Sequence, residues 1–148
     1  MVKKIYLGSD HAGFKLKEKI KEWLEKKGIP FLDTGNLVLD PNDDYPDYAG
    51  KLARKVTVAK SLGILVCGSA QGMCIAANKI KGARAVVPFS LREVRLSRKH
   101  NDANIICLSG WYAHPYEAKQ MVEQFLTTPF SNEPRHVRRI NKIKKLEI

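Results

Sequence analysis

No apolar run in this 148-residue chain approaches the ~20 residues that a membrane-spanning helix requires, so a helical membrane protein is excluded. Cysteine is scarce. Cys67, Cys74 and Cys107 are odd in number and match no zinc-ligand spacing. That excludes a disulfide-stapled scaffold and a zinc module, and it fits a reduced, cytoplasmic setting. The opening Met1–Gly8 holds two lysines but neither a long apolar region nor a small-residue cleavage site, so no signal peptide is expected. Acidic residues are few: 15 against 26 basic ones, for a net charge of +11. This excess invites a nucleic-acid reading, but aromatics make up only 8% and do not interleave with the basic clusters as RNA-binding motifs require. Solvated basic faces and a site for an anionic substrate account for the charge better than nucleic acid does. One such face is Lys15, Lys17, Lys19, Lys21, Lys26 and Lys27 on an expected helix. Another is the carboxyl end with Arg135, Arg138, Arg139, Lys142, Lys144 and Lys145.

What is present is a regular alternation of short apolar runs with helical patterns. Strands are expected at 3–9, 29–32, 63–66, 83–87 and 105–108. Between them lie helical faces such as Leu16, Ile20, Trp23 and Leu24, or Tyr48, Leu52 and Val56. The helix after the third strand is expected to reach about Ile80. Ser90-Leu91-Arg92-Glu93 reads as a capping box, and Pro115 as a first-turn proline. Residues 129–134 link to a basic helix from about 135. The pattern predicts one α/β domain over residues 1–148, three layers deep, with a five-stranded parallel sheet, helices on both faces and a C-terminal helix. In such sheets the site lies beyond the carboxyl ends of the strands, at a switch in strand order.

The residues just after each strand are therefore the candidates. Cys67-Gly68-Ser69-Ala70-Gln71-Gly72-Met73 follows the third strand and opens a helix, which sets a thiol beside free backbone N–H groups. A free cysteine is more often a small buried apolar residue, and that plainer reading holds for Cys74 and Cys107 inside apolar stretches. Asp10 and His11 follow the first strand. They read either as a helix cap with an ordinary loop residue or as an acid and imidazole that manage a proton or bind an anion. His100-Asn101-Asp102 closes a helix, as a C-cap or as part of a site. Arg135 and Arg139, four apart, share one helical face that presents two guanidinium groups either to solvent or to a phosphate.

Taken together, Gly8-Ser9-Asp10-His11-Ala12-Gly13-Phe14, Asp44-Tyr45-Pro46-Asp47-Tyr48-Ala49, Cys67-Gly68-Ser69 with Ile75-Ala76-Ala77-Asn78-Lys79, Ala83-Arg84-Ala85, and Ser97-Arg98-Lys99-His100-Asn101-Asp102-Ala103-Asn104 resemble the type B ribose 5-phosphate isomerases. The wider family includes galactose 6-phosphate isomerase subunits. The resemblance runs in order over nearly the whole chain. It implies a Rossmann-like fold and an aldose–ketose isomerase that uses no cofactor and no metal. It also implies a homodimer, or a tetramer, whose sites use both subunits. By position, Cys67 is the base between C1 and C2, with Ser69 the hydroxyl residue beside it. The backbone of Gly68, Ala70, Gln71, Gly72 and Met73 holds the enediolate oxygen. His100, with Asp10, opens the sugar ring. Tyr45 and Asn101 contact the sugar, and His11, Arg135 and Arg139 bind phosphate, the arginines from the partner subunit.

The chain departs from the family pattern at three positions. Ala70 and Gln71 stand where many members read Gly and a variable residue. Trp111 stands where members usually carry a phosphate-binding arginine. These departures keep two alternatives in view: an isomerase of galactose or allose 6-phosphate, and a basic sugar-phosphate or nucleic-acid binding protein without catalysis.

Overall fold

A computed structural model of the chain describes residues 3–148; Met1 and Val2, where the leader reading begins, lie outside the described residues. Five strands, β1 (Ile5–Ser9), β2 (Phe31–Asp33), β3 (Gly63–Cys67), β4 (Ala85–Val86) and β5 (Ile105–Ser109), pair in parallel in the order β2-β1-β3-β5-β4. Helices α1 (Phe14–Lys26), α2 (Tyr45–Ala59), α3 (Gln71–Ala77) and α4 (Leu91–Asn101) connect them, and α5 (Pro115–Thr127) and α6 (Pro134–Lys144) follow.

The alternation of side chains along the strands builds two cores. Ile5, Leu7, Ile64, Val66, Ile106 and Leu108 face α1, α4 and α5, where they meet Leu16, Ile20, Leu24, Val94, Val122 and Phe125. Leu65, Cys67, Ile105 and Cys107 face the other way, onto Leu52, Ala53, Val56, Met73 and Ala77 of α2 and α3. The central strand β3 is buried along its whole length, as a parallel strand covered on both faces must be. The expected α/β class, the five parallel strands and the C-terminal helix are all present.

Several boundaries differ from expectation for identifiable reasons. Helix α3 stops at Ala77 rather than near Ile80, because Asn78 turns its amide onto the next strand. Its Nδ2 donates to the Ala85 carbonyl at 2.9 Å and its Oδ1 accepts from Ala85 N–H at 2.8 Å. The fourth strand shrinks to Ala85–Val86, with the Arg84 N–H taken by Asn104 Oδ1 at 2.7 Å. Lys17 does not lie on the solvated face of α1. It is fully buried, and its ammonium donates to both Asp33 oxygens, at 3.0 and 2.9 Å, and to the Asn36 carbonyl.

The turn from β1 into α1 passes so close to β3 that only glycine fits at position 13. A β-carbon on Gly13 would overlap the Val66 carbonyl and crowd Cys67 N. This close approach brings the loop after β1 against the end of β3. Gly28, by contrast, has φ +67° with open space around it. Gly13→Ala should therefore cost more than ~3 kcal/mol, since backbone must move, whereas Gly28→Ala should cost about 1–2 kcal/mol of left-handed strain. Urea unfolding of the two variants checks the ranking.

Candidate active site

Strand order reverses between β1 and β3: the chain runs outward from β1 to β2, then returns past β1 to β3. The register pairs Ser9 with Val66, so Asp10 and Cys67 leave the sheet side by side at this switch point. Cys67 is buried. Burial pushes its thiol above the ordinary value of 9.0, and the Asp10 carboxylate adds to this, while hydrogen bonds from the backbone N–H groups of Met73 and Ala70 pull it down. Those two amides reach the sulfur because Ala70 sits in the left-handed region at φ 70°, which turns the chain sharply into α3. An alanine there carries strain on the order of 1–2 kcal/mol, which glycine would not. Ser69 is exposed beside the turn, and its Oγ accepts from Gln71 N–H at 3.4 Å. The Tyr45 ring lies on Gly72, where a β-carbon would be 2.6 Å from its Cζ.

Asp10 is buried and accepts the Gly13 N–H at 3.0 Å, so it holds the tight turn into α1, whose N-cap is Gly13. Burial raises its carboxyl above the usual range, against the opposing pull of the Gly13 hydrogen bond and of His11. His11 is gripped by Asp43, whose Oδ1 accepts from the His11 backbone N–H at 3.1 Å and lies 2.7 Å from His11 Nδ1. Asn36 Nδ2 donates to the other Asp43 oxygen at 2.8 Å, and the buried Lys17 holds the Asn36 carbonyl. Burial pushes the Asp43 carboxyl up, but the hydrogen bonds from His11 and Asn36 outweigh it and bring it below the usual range. Asp10, His11 and Asp43 offer ligand atoms within 4.8 Å of one another. The short contact between His11 Nδ1 and Asp43 commits that pair to a hydrogen bond and leaves Nε2 outside it.

The Asp43 contact raises the His11 pKa above its ordinary 6.5. The His11 share of the stabilisation from this pair is therefore fully present below about pH 6.5 and is lost as pH rises through the higher folded-state value, while the Asp43 share is lost as pH falls through its depressed folded-state value. Asp43→Ala should lower the His11 pKa in a two-dimensional NMR titration. An unmoved pKa would show that Asp43 does not set the charge of this imidazole.

The remaining candidates lie elsewhere. Helices run back against the strands in a parallel α/β sheet, so His100 and Asn101, at the carboxyl end of α4, sit at the amino-terminal edge of the sheet, just before β5. Cys67 pairs with Ser109 at the far end of β5, which is ~13 Å of strand away. His100 stacks on His136 of α6, ring centroids 4.4 Å apart. His136 is buried, and burial together with the neighbouring His100 lowers its pKa. Its Nδ1 lies 2.6 Å from Ser131 Oγ. Arg135 and Arg139 stand exposed on α6, with Arg135 Nε donating to Glu133 Oε2 at 2.9 Å, while His136 and Ile140 anchor the helix. One chain thus gathers Cys67, Ser69, Asp10, His11 and Tyr45 at one edge, and His100, Asn101, Arg135 and Arg139 at the other.

The amino-terminal edge also holds a cavity of about 720 Å³ lined by Lys3, Lys60, Arg84, Arg98, Asp102 and Lys144. Three of its cations act on the protein itself. Lys3 donates to the Lys60 carbonyl at 3.1 Å, Arg98 to the Thr128 and Ala103 carbonyls at 3.1 and 2.6 Å, and Arg84 to the Asp102 carbonyl at 2.9 Å. These are the carboxyl ends of helices or the residues just past them, where positive charge offsets the helix dipole. Part of the +11 charge is explained in this way.

Two residues at these edges were missed from sequence. Asp43 lies 32 positions from its partner His11, in a loop with four aspartates among residues 40–47, so nothing local distinguishes it. His136 sits between the two arginines already singled out, and its burial under His100 leaves no local mark.

The model of the family described as Ribose/Galactose Isomerase matches residues 5–143. A probable ribose-5-phosphate isomerase B of Mycoplasma pneumoniae is 43% identical over 140 residues, covering 94% of this chain and 91% of that protein. Among solved structures, a ribose 5-phosphate isomerase of Thermotoga maritima superposes with a TM-score of 0.91 at 44% identity, covering 96% of this chain and 97% of that one. The ribose-5-phosphate isomerase B of Mycoplasma genitalium with bound ribulose-5-phosphate superposes at 0.91 with 41% identity, covering 97% and 95%. With identity at this level over nearly its full length, and with the family model matched over residues 5–143, the chain belongs to the ribose/galactose isomerase family.

Proposed function

We propose that this chain interconverts ribose 5-phosphate and ribulose 5-phosphate through an enediolate, with Cys67 as the base, as a homodimer in the cytoplasm serving pentose phosphate metabolism. The observation that carries the reading is the Cys67 thiol at the β1/β3 switch point, with the backbone N–H groups of Ala70 and Met73 aimed at its sulfur. Proton transfer beside a carbonyl needs a base in reach and donors for the oxygen charge that develops. In this reading the Cys67 thiolate removes the C2 proton of the open-chain aldose and returns it to C1. Amides of the Gly68–Met73 turn other than the Ala70 and Met73 N–H groups that face the sulfur take the enediolate oxygen, and Ser69 supplies a hydroxyl for proton exchange between O1 and O2.

The separation of the two residue groups supports a site completed by a second copy. One copy brings Cys67, Asp10, His11 and Tyr45. The other brings His100 to open the ring, Asn101 to contact the sugar, and Arg135 and Arg139 to join His11 at the phosphate. The added cations would also favour the Cys67 thiolate, against the burial that disfavours it in a single chain. His136, buried beneath His100, fixes the orientation of that ring.

A coupled assay on the purified chain tests the reading. Turnover of ribose 5-phosphate is expected, with kcat/KM above that for galactose 6-phosphate or allose 6-phosphate. No turnover of the pentose phosphate would refute it.

A further inference from the structure

One aromatic residue at the mouth of the Cys67 turn has a geometry that the isomerase reading leaves unused. Trp111 follows β5, and its indole lies directly on Gly68: a β-carbon there would be 2.5 Å from Cζ2, 2.6 Å from Cε2 and 2.8 Å from Cη2. The backbone beneath the ring is fixed to the exit of β3. Ser109 Oγ donates to the Gly68 carbonyl at 2.6 Å, Trp111 N–H donates to the same oxygen at 3.2 Å, and Gly110 N–H donates to the Cys67 carbonyl at 2.7 Å. Tyr112 meets the indole edge-on, 6.3 Å between centroids at 85°. Yet Trp111 is 66% exposed, so most of its surface faces outward beside the thiol rather than into a core.

The Gly68–Gly72 turn therefore carries a ring on each of its glycines, Trp111 on Gly68 and Tyr45 on Gly72, and each ring needs the missing side chain beneath it. A rigid indole at the rim of a polar pocket offers an apolar face with no charge. The partner chemistry that suits it is the C–H face of a carbohydrate chain, whose hydroxyls point aside.

We infer that Trp111 is a specificity-determining residue of this site: its indole walls the Gly68 side, packs on the carbon chain of the sugar phosphate, and limits the chain length admitted over Cys67. The inference rests on the isomerase reading for its substrate class. Its energetic scale is that of one extra chain carbon against an apolar wall, which separates substrates by about 10–200-fold.

The test compares Trp111→Ala and Trp111→Phe on ribose 5-phosphate and on allose 6-phosphate. The alanine variant should lose about 10-fold in kcat/KM on the pentose phosphate, chiefly through KM, and its hexose-to-pentose ratio should rise by about 10-fold. The phenylalanine variant, which keeps a ring on Gly68, should stay within about 3-fold of the parent chain. A second readout does not depend on turnover. The chain has two tryptophans, and Trp23→Phe leaves Trp111 as the only indole. Ribose 5-phosphate should then change the fluorescence saturably, and the change should vanish when Trp111→Phe is added. If the parent chain turns over neither sugar, the isomerase reading fails, and the fluorescence titration still decides the role of Trp111. An unaltered hexose-to-pentose ratio in the alanine variant, or a flat titration, overturns the inference.

Discussion

Cys67→Ala should lower kcat on ribose 5-phosphate by about 10²–10⁴-fold, the usual worth of a positioned general base, with little change in KM. The change removes one sulfur from a position held by backbone, and the turn keeps its amides, so sugar binding should survive. Cys67→Ser is the sharper variant, because it keeps the shape and replaces the thiol by a hydroxyl that does not ionise in the working range. It should be nearly as impaired as alanine. The pH profile of the parent chain should carry the same signature. Burial raises the thiol pKa in a single chain and the partner's cations oppose that shift in the shared site, so kcat/KM should climb with pH as thiolate forms. The climb should disappear in Cys67→Ser. Full activity of Cys67→Ala would remove the base from the mechanism.

His100→Asn should lower kcat by about 10²–10³-fold with saturating ribose 5-phosphate and by less with saturating ribulose 5-phosphate, while kcat/KM changes equally in both directions because the overall equilibrium is fixed. The asymmetry follows from the sugars. Ribose 5-phosphate is mostly a furanose and must be opened before C2 can be deprotonated. Ribulose 5-phosphate has its O5 esterified, which bars a five-membered hemiketal, so it arrives as an open chain. A group that only opens rings is dispensable in that direction, because the released open-chain aldose cyclises in solution. Progress curves in both directions separate this role from a structural one, which would depress both equally. His136→Phe should reproduce part of the defect with the same directional bias, since that ring stacks on His100 at 4.4 Å and fixes its orientation.

Much of the fold was legible because period and punctuation agree. The short apolar strand runs, the helical faces, and the Ser90 and Pro115 starts all act within a few residues, and all formed. Strand order was not legible. The insertion of β5 between β3 and β4 depends on pairing across about 20–40 residues of chain, which leaves no local trace. Local pattern also failed where a side chain served a distant partner. Asn78 ends α3 by binding Ala85, and Lys17 leaves the solvated face for Asp33 and Asn36. At the site, Cys67, Asp10 and His11 could be read from their strand-end positions. Asp43 could not, being recognisable only once the loop folds onto His11. The most consequential feature, the separation of Cys67 from His100 by the length of a strand, needs the topology as well as the motifs.

The central claim is an isomerase site built from Cys67 of one copy and His100 of another, and complementation tests it most directly. Cys67→Ala and His100→Asn chains, each inactive alone, are unfolded together, refolded as a mixture and assayed on ribose 5-phosphate. Half of the random dimers are mixed, and each mixed dimer rebuilds one of its two sites, so activity should return to about a quarter of the parent value. A mixture that forms mixed dimers yet stays as inactive as its components, while the parent chain turns over, would contradict the shared site.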